Sequence, residues 1–333
     1  MSIINTFKKS NLKSGLVISK NFLQLIRWPN LLMILLIQSA LFYVFIEKTY
    51  SLSGINTALG WGNLGLIILT TILIAAAGYI INDYFDYNTD IINKPEKQIF
   101  GTGIPVRLGI AFYYILNSIS VIIGFYLAYK AGSWRLGFLF PMIIILLWLY
   151  SAKYKRTILL GNLAVAFLAA LVILIVWLFE FFMLRLNPPD FVVVTPYLKL
   201  ITAYFGGYAL FSFLYTLSRE IIKDSEDIEG DRQSGIQTLA VVYGQSVVKK
   251  VSAGILIVSS IVLCVLISYL LIRNFLLVGL YFVFAVQLPT FYVIYRTLIA
   301  QTKSDFHNIS ITLKIIMLAG ILGLQPIAMS MNI

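Results

Sequence analysis

Nine apolar runs, each near the length of a membrane span, divide this chain and leave few folds open to it. They lie near residues 30–46, 62–82, 108–129, 136–150, 158–180, 197–218, 250–272, 276–299 and 312–332. About 20 apolar residues in a helix cross a hydrocarbon core. Pro141, Pro289 and Pro326 fall inside these runs, and neighbouring helices can satisfy the carbonyls they free. Charged residues make up only 12% of the 333, against about 25% in a soluble domain. The mean hydropathy is +0.91. The pattern predicts an all-α, polytopic membrane bundle of about nine transmembrane helices, and it excludes a water-soluble globule.

The N-terminal stretch carries Lys8, Lys9, Lys13 and Lys20 with no apolar core followed by a small-residue cleavage site, so it does not read as a cleavable signal peptide. Residues 1–29 read as a basic segment on the membrane surface, ahead of a transmembrane domain over 30–333. Cys264 and His307 are each the single residue of their kind. With no His or Cys cluster, a zinc, haem or iron–sulfur centre is not expected.

Charge gives the orientation. Nineteen of the 25 Lys and Arg residues fall on the side of the N-terminus and of the loops after the second, fourth, sixth and eighth runs, and six fall opposite. That asymmetry places the N-terminus in the cytoplasm. The net charge of +11 is thus mainly a topology signal. No basic face on a soluble module is visible, so no nucleic-acid partner is expected.

Topology is nearly indifferent to acids, yet ten of the 14 acids gather in two places on the cytoplasmic side. After the second run comes Asn82-Asp83-x-x-Asp86-x-x-x-Asp90. On a continuing helix Asn82, Asp86 and Asp90 share one face, with Asp83 at its edge. After the sixth run Glu220, Asp224, Asp227 and Asp231 fall within about 60° of one another on a helical wheel. Four acids on one stripe repel, and a divalent cation would relieve them. Oxygen donors alone favour Mg²⁺, Mn²⁺ or Ca²⁺, and Mg²⁺ takes few carboxylates together with substrate phosphate oxygens. Bases flank both clusters: Lys94, Arg219, Lys223, and Lys153 with Arg156 in the fourth-to-fifth loop beside Tyr150. Two acidic segments with bases close by suit a Mg²⁺–diphosphate complex.

Paired motifs at these span positions resemble the UbiA superfamily of intramembrane prenyltransferases. Arg27-Trp-Pro-Asn30, Tyr150-Ser-Ala-Lys153 with Arg156, Asp224-x-x-Asp227-x-x-x-Asp231 and Gly235-Ile-Gln-Thr-Leu239 are similar to that family's other motifs, and the likeness runs from about residue 20 to 325. The segment Asn93-Lys94-Pro95 through Gly101-x-Gly103 is nearest the digeranylgeranylglyceryl phosphate synthase and chlorophyll synthase subgroup, with Lys94 and Lys97 where arginines stand there.

The resemblance implies a bundle around a central cavity and catalytic residues Asn82, Asp83, Asp86, Asp90, Asp224, Asp227 and Asp231. Of these, Asn82, Asp86 and Asp90 would hold one Mg²⁺, and Asp224, Asp227 and Asp231 a second. Lys94, Lys153, Arg156, Lys223, Arg219 and Tyr150 would bind substrate. The substrates implied are a prenyl diphosphate, with geranylgeranyl diphosphate the expectation, and a lipid-soluble acceptor such as geranylgeranylglyceryl phosphate. An aromatic acceptor of quinone or haem O synthesis is the alternative. Tyr84, Phe85, Tyr87, Tyr150 and Tyr215 are candidate aromatic faces for a developing prenyl cation. An ion-coupled secondary transporter is the reading from another class. Transporters tend to carry acids near the midplane and inverted repeats, whereas these acids sit at span ends.

Overall fold

The computed structural model describes residues 20–87, 99–100 and 103–330. Among these, nine helices are long and apolar enough to cross a bilayer. They are α1 (Trp28–Leu52), α2 (Gly60–Phe85), α3 (Val106–Lys130), α4 (Trp134–Arg156), α5 (Leu160–Leu184), α6 (Pro188–Glu226), α7 (Gln245–Ile272), α8 (Leu276–Ile299) and α9 (Lys303–Ser330). Each contains or overlaps one apolar run of the sequence, so the chain is an all-α, multi-pass membrane protein.

Two helices extend well past their apolar runs. Two prolines open α6 at its first positions, where a missing N–H costs nothing, and the helix runs on through the charged residues 219–226. Helix α9 begins at a capping box: the Thr302 side chain accepts from the Asp305 N–H, and the Asp305 carboxylate accepts from the Thr302 N–H. It therefore starts nine residues before the expected 312, and Lys314 lies inside the helix rather than at its mouth.

Helix α6 packs against α5, α7 and α9, α2 packs against α1, α3 and α4, and α9 meets α1 to close the ring. One apolar core joins α1, α2, α4, α5 and α6 and contains Phe42, Phe45, Phe140, Phe179 and Phe205. A second joins α6 to α7, α8 and α9 around Leu256, Leu313 and Phe306. Outward faces carry exposed Ile122, Ile261, Val265, Phe284 and Tyr292, as a lipid environment requires. Cys264 is also exposed, and it sits beside Val265 on that outer surface.

The lead-in before α1 does more than lie on a surface. Residues 20–25 are helical, and Leu25 is fully buried with Ile80, Phe100 and Ile104. Most of the expected 1–29 segment, residues 1–19, lies outside the described residues. Arg27 then adopts a left-handed backbone (φ 52°) as N-cap of α1, which turns the chain sharply into the bundle.

At the opposite end, Glu180 is completely buried in α5 and accepts the N–H groups of Ala58 (3.0 Å) and Leu59 (2.8 Å) at the start of α2. A carboxylate at a helix N-terminus satisfies orphan donors and complements the helix dipole. Glu180→Ala would leave both donors, that of Leu59 buried, without this acceptor. It is expected to cost about 3 kcal/mol, read as a lower unfolding temperature in detergent, with Glu180→Gln losing less. An unchanged unfolding temperature for both variants would show that Glu180 is dispensable to the fold.

Candidate active site

The helices enclose one large cavity, about 1390 Å³. Its walls change character along its length. Met33, Ile37, Leu171, Leu266 and Met317 line one stretch; Asn82, Asp86, Lys155, Asp224 and Asp227 line another. The second stretch is where the two acidic motifs come together.

The first motif sits on the last turn of α2. The helix ends at Phe85, and Asp86 is its C-cap, with its N–H bonded to the Asn82 carbonyl at 2.9 Å. Asn82 and Asp86 are buried. The Asn82 side-chain amide donates to Asp86 Oδ2 at 2.7 Å, and Lys155 Nζ also bonds Asp86 Oδ2. Asp83 turns to Arg27, whose Nη2 lies 2.7 Å from its Oδ1. The expected alignment of Asn82, Asp86 and Asp90 on one face holds for Asn82 and Asp86 as far as their contact. Asp90 and Lys94 lie outside the described residues.

The second motif also departs from a single wheel. Helix α6 ends at Glu226, Asp227 caps it, and a separate short helix, Ile228–Gln233, begins. The break redirects the chain, and Asp224, Asp227 and Asp231 still all face the cavity. Asp224 accepts from the Asn162 amide of α5 at 3.0 Å. The short helix closes with Gly235 at φ 69°. There the Ile236 N–H meets the Asp231 carbonyl and the Gly235 N–H meets that of Arg232. This is the left-handed glycine ending that satisfies terminal carbonyls, and it fixes the backbone of Asp231.

Glu220, read from the sequence as part of the acidic stripe, is committed elsewhere. It bonds Arg219 at 2.7 Å and Lys223 at 3.1 Å. Both bases thereby face the cavity along α6. Glu226, outside the stripe read from the sequence, lines the cavity too and pairs with His307 of α9 at 3.0 Å.

The fourth-to-fifth loop is placed differently from its sequence reading. Lys153 and Arg156 are exposed, and neither lines the cavity; Lys155, between them, does. Tyr150 lines it as well, within electrostatic reach of Lys155, Glu220, Asp86 and Arg27. Residues from both motifs and from α1 and α4 therefore share one small region. Among the aromatic candidates, Tyr150 and Tyr215 line the cavity, whereas Tyr84, Phe85 and Tyr87 do not. Tyr204 and Tyr208 also line it. Asn162 and Lys155 were not expected here, since their signal in the sequence is no stronger than that of any polar residue near a span end; Arg27 was expected only as part of a motif, with no role at the site.

No group of three or more His, Cys, Asp or Glu side chains among the described residues is preassembled as a metal cage. Mg²⁺ does not need one, since it binds through one or two carboxylates plus waters and phosphate oxygens. The donor set fits that mode. Asn82 Oδ1 is buried with no hydrogen-bond partner, beside the Asp86 carboxylate, and Asp224, Asp227 and Asp231 line the same cavity. An unpaired buried acceptor is costly, and a hard cation would satisfy it.

Comparisons agree with this architecture. The family model for "UbiA prenyltransferase family" matches residues 51–314. A digeranylgeranylglyceryl phosphate synthase from Methanosphaera stadtmanae is 30% identical over 303 residues, covering 89% of this chain and 95% of that protein. One from Methanosarcina mazei is 32% identical over 260 residues, covering 75% and 78%. Among solved structures, a UbiA homologue from Archaeoglobus fulgidus bound to DMAPP and Mg²⁺ superposes with TM-score 0.54 at 16% identity, over 92% of this chain and 99% of that one. A UbiA homologue from Aeropyrum pernix gives 0.57 at 14%, over 86% and 98%. At these identities the two structures share the fold.

Proposed function

The chain belongs to the UbiA prenyltransferase family, and on that premise we propose that it transfers a geranylgeranyl group from its diphosphate to geranylgeranylglyceryl phosphate. The observation that carries the reading is the cavity itself. Two acidic motifs and several bases meet in one part of it, and apolar walls run on from there. A prenyl diphosphate has the same two-part chemistry, an anionic head and a long hydrocarbon tail.

Asn82, Asp86, Asp224, Asp227 and Asp231 would hold Mg²⁺, two ions in this reading, with Asp90 as a further ligand; Asp83 would support them by fixing Arg27. When bound, Mg²⁺ acts as a Lewis acid that offsets charge on a leaving diphosphate. Lys155 and Lys223, beside the acids, would stabilise that same charge as the allylic C–O bond breaks. Tyr150 and Tyr215 would face the prenyl carbon as it becomes cationic. The apolar walls exclude water, which would otherwise capture the cation. The acceptor hydroxyl then attacks, and its proton leaves to the departing diphosphate. The distribution of Lys and Arg supports a cytoplasmic N-terminus and active site in an archaeal or bacterial plasma membrane.

Membranes carrying the protein are expected to move label from geranylgeranyl diphosphate onto geranylgeranylglyceryl phosphate only when Mg²⁺ is present. 4-Hydroxybenzoate, dihydroxynaphthoate and haem should stay unlabelled. Label on an aromatic acceptor instead would overturn the acceptor assignment and leave prenyl transfer standing.

A further inference from the structure

Lys314 is unexplained by the acidic site. It lies about 16 Å along α9 from Lys303, at about 1.5 Å per residue, and its side chain enters the cavity. A cation inside a spanning helix is costly and seldom idle. Among the described residues Lys314 meets no carboxylate. Its Nζ bonds Asn30 Oδ1 of α1 at 2.5 Å, and the Asn30 amide donates to Tyr79 OH of α2 at 3.0 Å. Arg219 and Arg27 lie within electrostatic reach of it. Arg27 lies 4.8 Å over the Tyr79 ring and Arg219 lines the same cavity. Three cations thus converge, and the two acids among them, Asp83 and Glu220, are already bound to Arg27 and Arg219.

Lys314 and its anchor occupy a different wall from the bases beside the acids, and Arg27 and Arg219 stand between, each tied to a residue of the acidic segments. Lys155 and Asn162, which hold Asp86 and Asp224, come from the α4–α5 side. Lys314 and Asn30 come from α9 and α1. We propose that Lys314, flanked by Arg27 and Arg219, forms a second anion site that takes the phosphate monoester of the acceptor, beside the site for the donor's diphosphate. The inference deepens the transfer reading and rests on it. A phosphate dianion would give Lys314 the anionic partner that Asp83 and Glu220 give Arg27 and Arg219, and Asn30 orients the lysine toward it. Seating the acceptor head on the α1–α9 wall would set its lipid hydroxyl across the cavity from the α4–α5 wall, where the diphosphate departs.

The test is steady-state kinetics on membranes carrying wild-type protein, Lys314→Met, Lys314→Arg and Asn30→Leu. For Lys314→Met, KM for geranylgeranylglyceryl phosphate is expected to rise about 10- to 100-fold, the value of one charge-assisted hydrogen bond. KM for geranylgeranyl diphosphate should move less than about twofold on the same basis. Lys314→Arg should recover most of the acceptor affinity. Asn30→Leu, which removes the anchor and keeps the charge, should raise the acceptor KM by a smaller factor; it carries the test if Lys314→Met does not accumulate. A rise in the diphosphate KM instead, or an unchanged acceptor KM in both variants, overturns the proposal and leaves the transfer reading intact. A wild-type protein that uses no phosphate-bearing acceptor overturns both.

Discussion

Alanine at Asp86 or at Asp227 is expected to lower prenyl transfer about a thousandfold while the protein still accumulates in membranes. Breaking an allylic C–O bond moves a full negative charge onto the diphosphate. Removing one preorganised group that meets such charge costs about 10²–10³ in rate, and a lost metal contact adds to it. Each residue represents a different motif, and each faces the shared cavity. Asp86 is buried and gathers Asn82 and Lys155, so its loss also leaves a lysine without its carboxylate. Asp86→Asn separates the effects, because it keeps the shape and removes the charge; it should be nearly as inactive as Asp86→Ala. Asp83→Ala should fall less, since Asp83 is engaged with Arg27. Chelation of Mg²⁺ should reproduce the Asp86 defect in wild-type membranes, with Mg²⁺ restoring activity. Labelled geranylgeranyl diphosphate and a Mg²⁺ titration provide the readout. Full turnover by both alanine variants at ordinary Mg²⁺ would remove these residues from the site.

The spans were legible because hydropathy reports lipid contact directly, and nine runs gave nine helices among the described residues. Their ends were less legible wherever a helix leaves the apolar layer. Five of residues 219–226 of α6 are charged, and the stretch looks like loop in a hydropathy reading, although it continues the helix. Lys314 falls at the very start of the ninth apolar run for the same reason. Its helix starts at a Thr302–Asp305 capping box, a signal that lies in the sequence but carries no hydropathy. The acidic motifs were legible as composition, and their geometry was not. A wheel assumes an unbroken helix, whereas Asp86 and Asp227 are both helix caps. Partners such as Asn162 for Asp224 depend on tertiary packing between α5 and α6, which no local pattern encodes.

The loop between α4 and α5 gives the clearest separation between reading charge and reading direction. Lys155→Met is expected to lower turnover about a hundredfold, on the scale of a buried charge-assisted contact near a phosphate. Lys153→Met and Arg156→Met should each change it less than about threefold, as exposed charges do. Spacing alone favours Lys153 and Arg156, three apart on one helical side. The chain is not a regular helix there: α-helical geometry ends at Ala152, and a 3₁₀ turn spans Tyr154–Arg156. That turn swings Lys155 inward to Asp86. Two main-chain features hold it. The Arg156 carbonyl accepts the Gln237 N–H, a bond that survives any change of the Arg156 side chain. Gly161, at the start of α5, lets the turn lie directly against that helix, since a Cβ there would stand 2.9 Å from Lys155 Cα and 3.0 Å from the Tyr154 carbonyl oxygen. Gly161→Ala should therefore displace the turn and lose activity in the same direction as Lys155→Met, though less, with Lys155 itself unaltered. Parallel turnover measurements on the four variants decide the matter. If Lys153→Met were as damaging as Lys155→Met, the inward direction of the turn would be wrong, and the diphosphate contact would return to the residues that spacing chose.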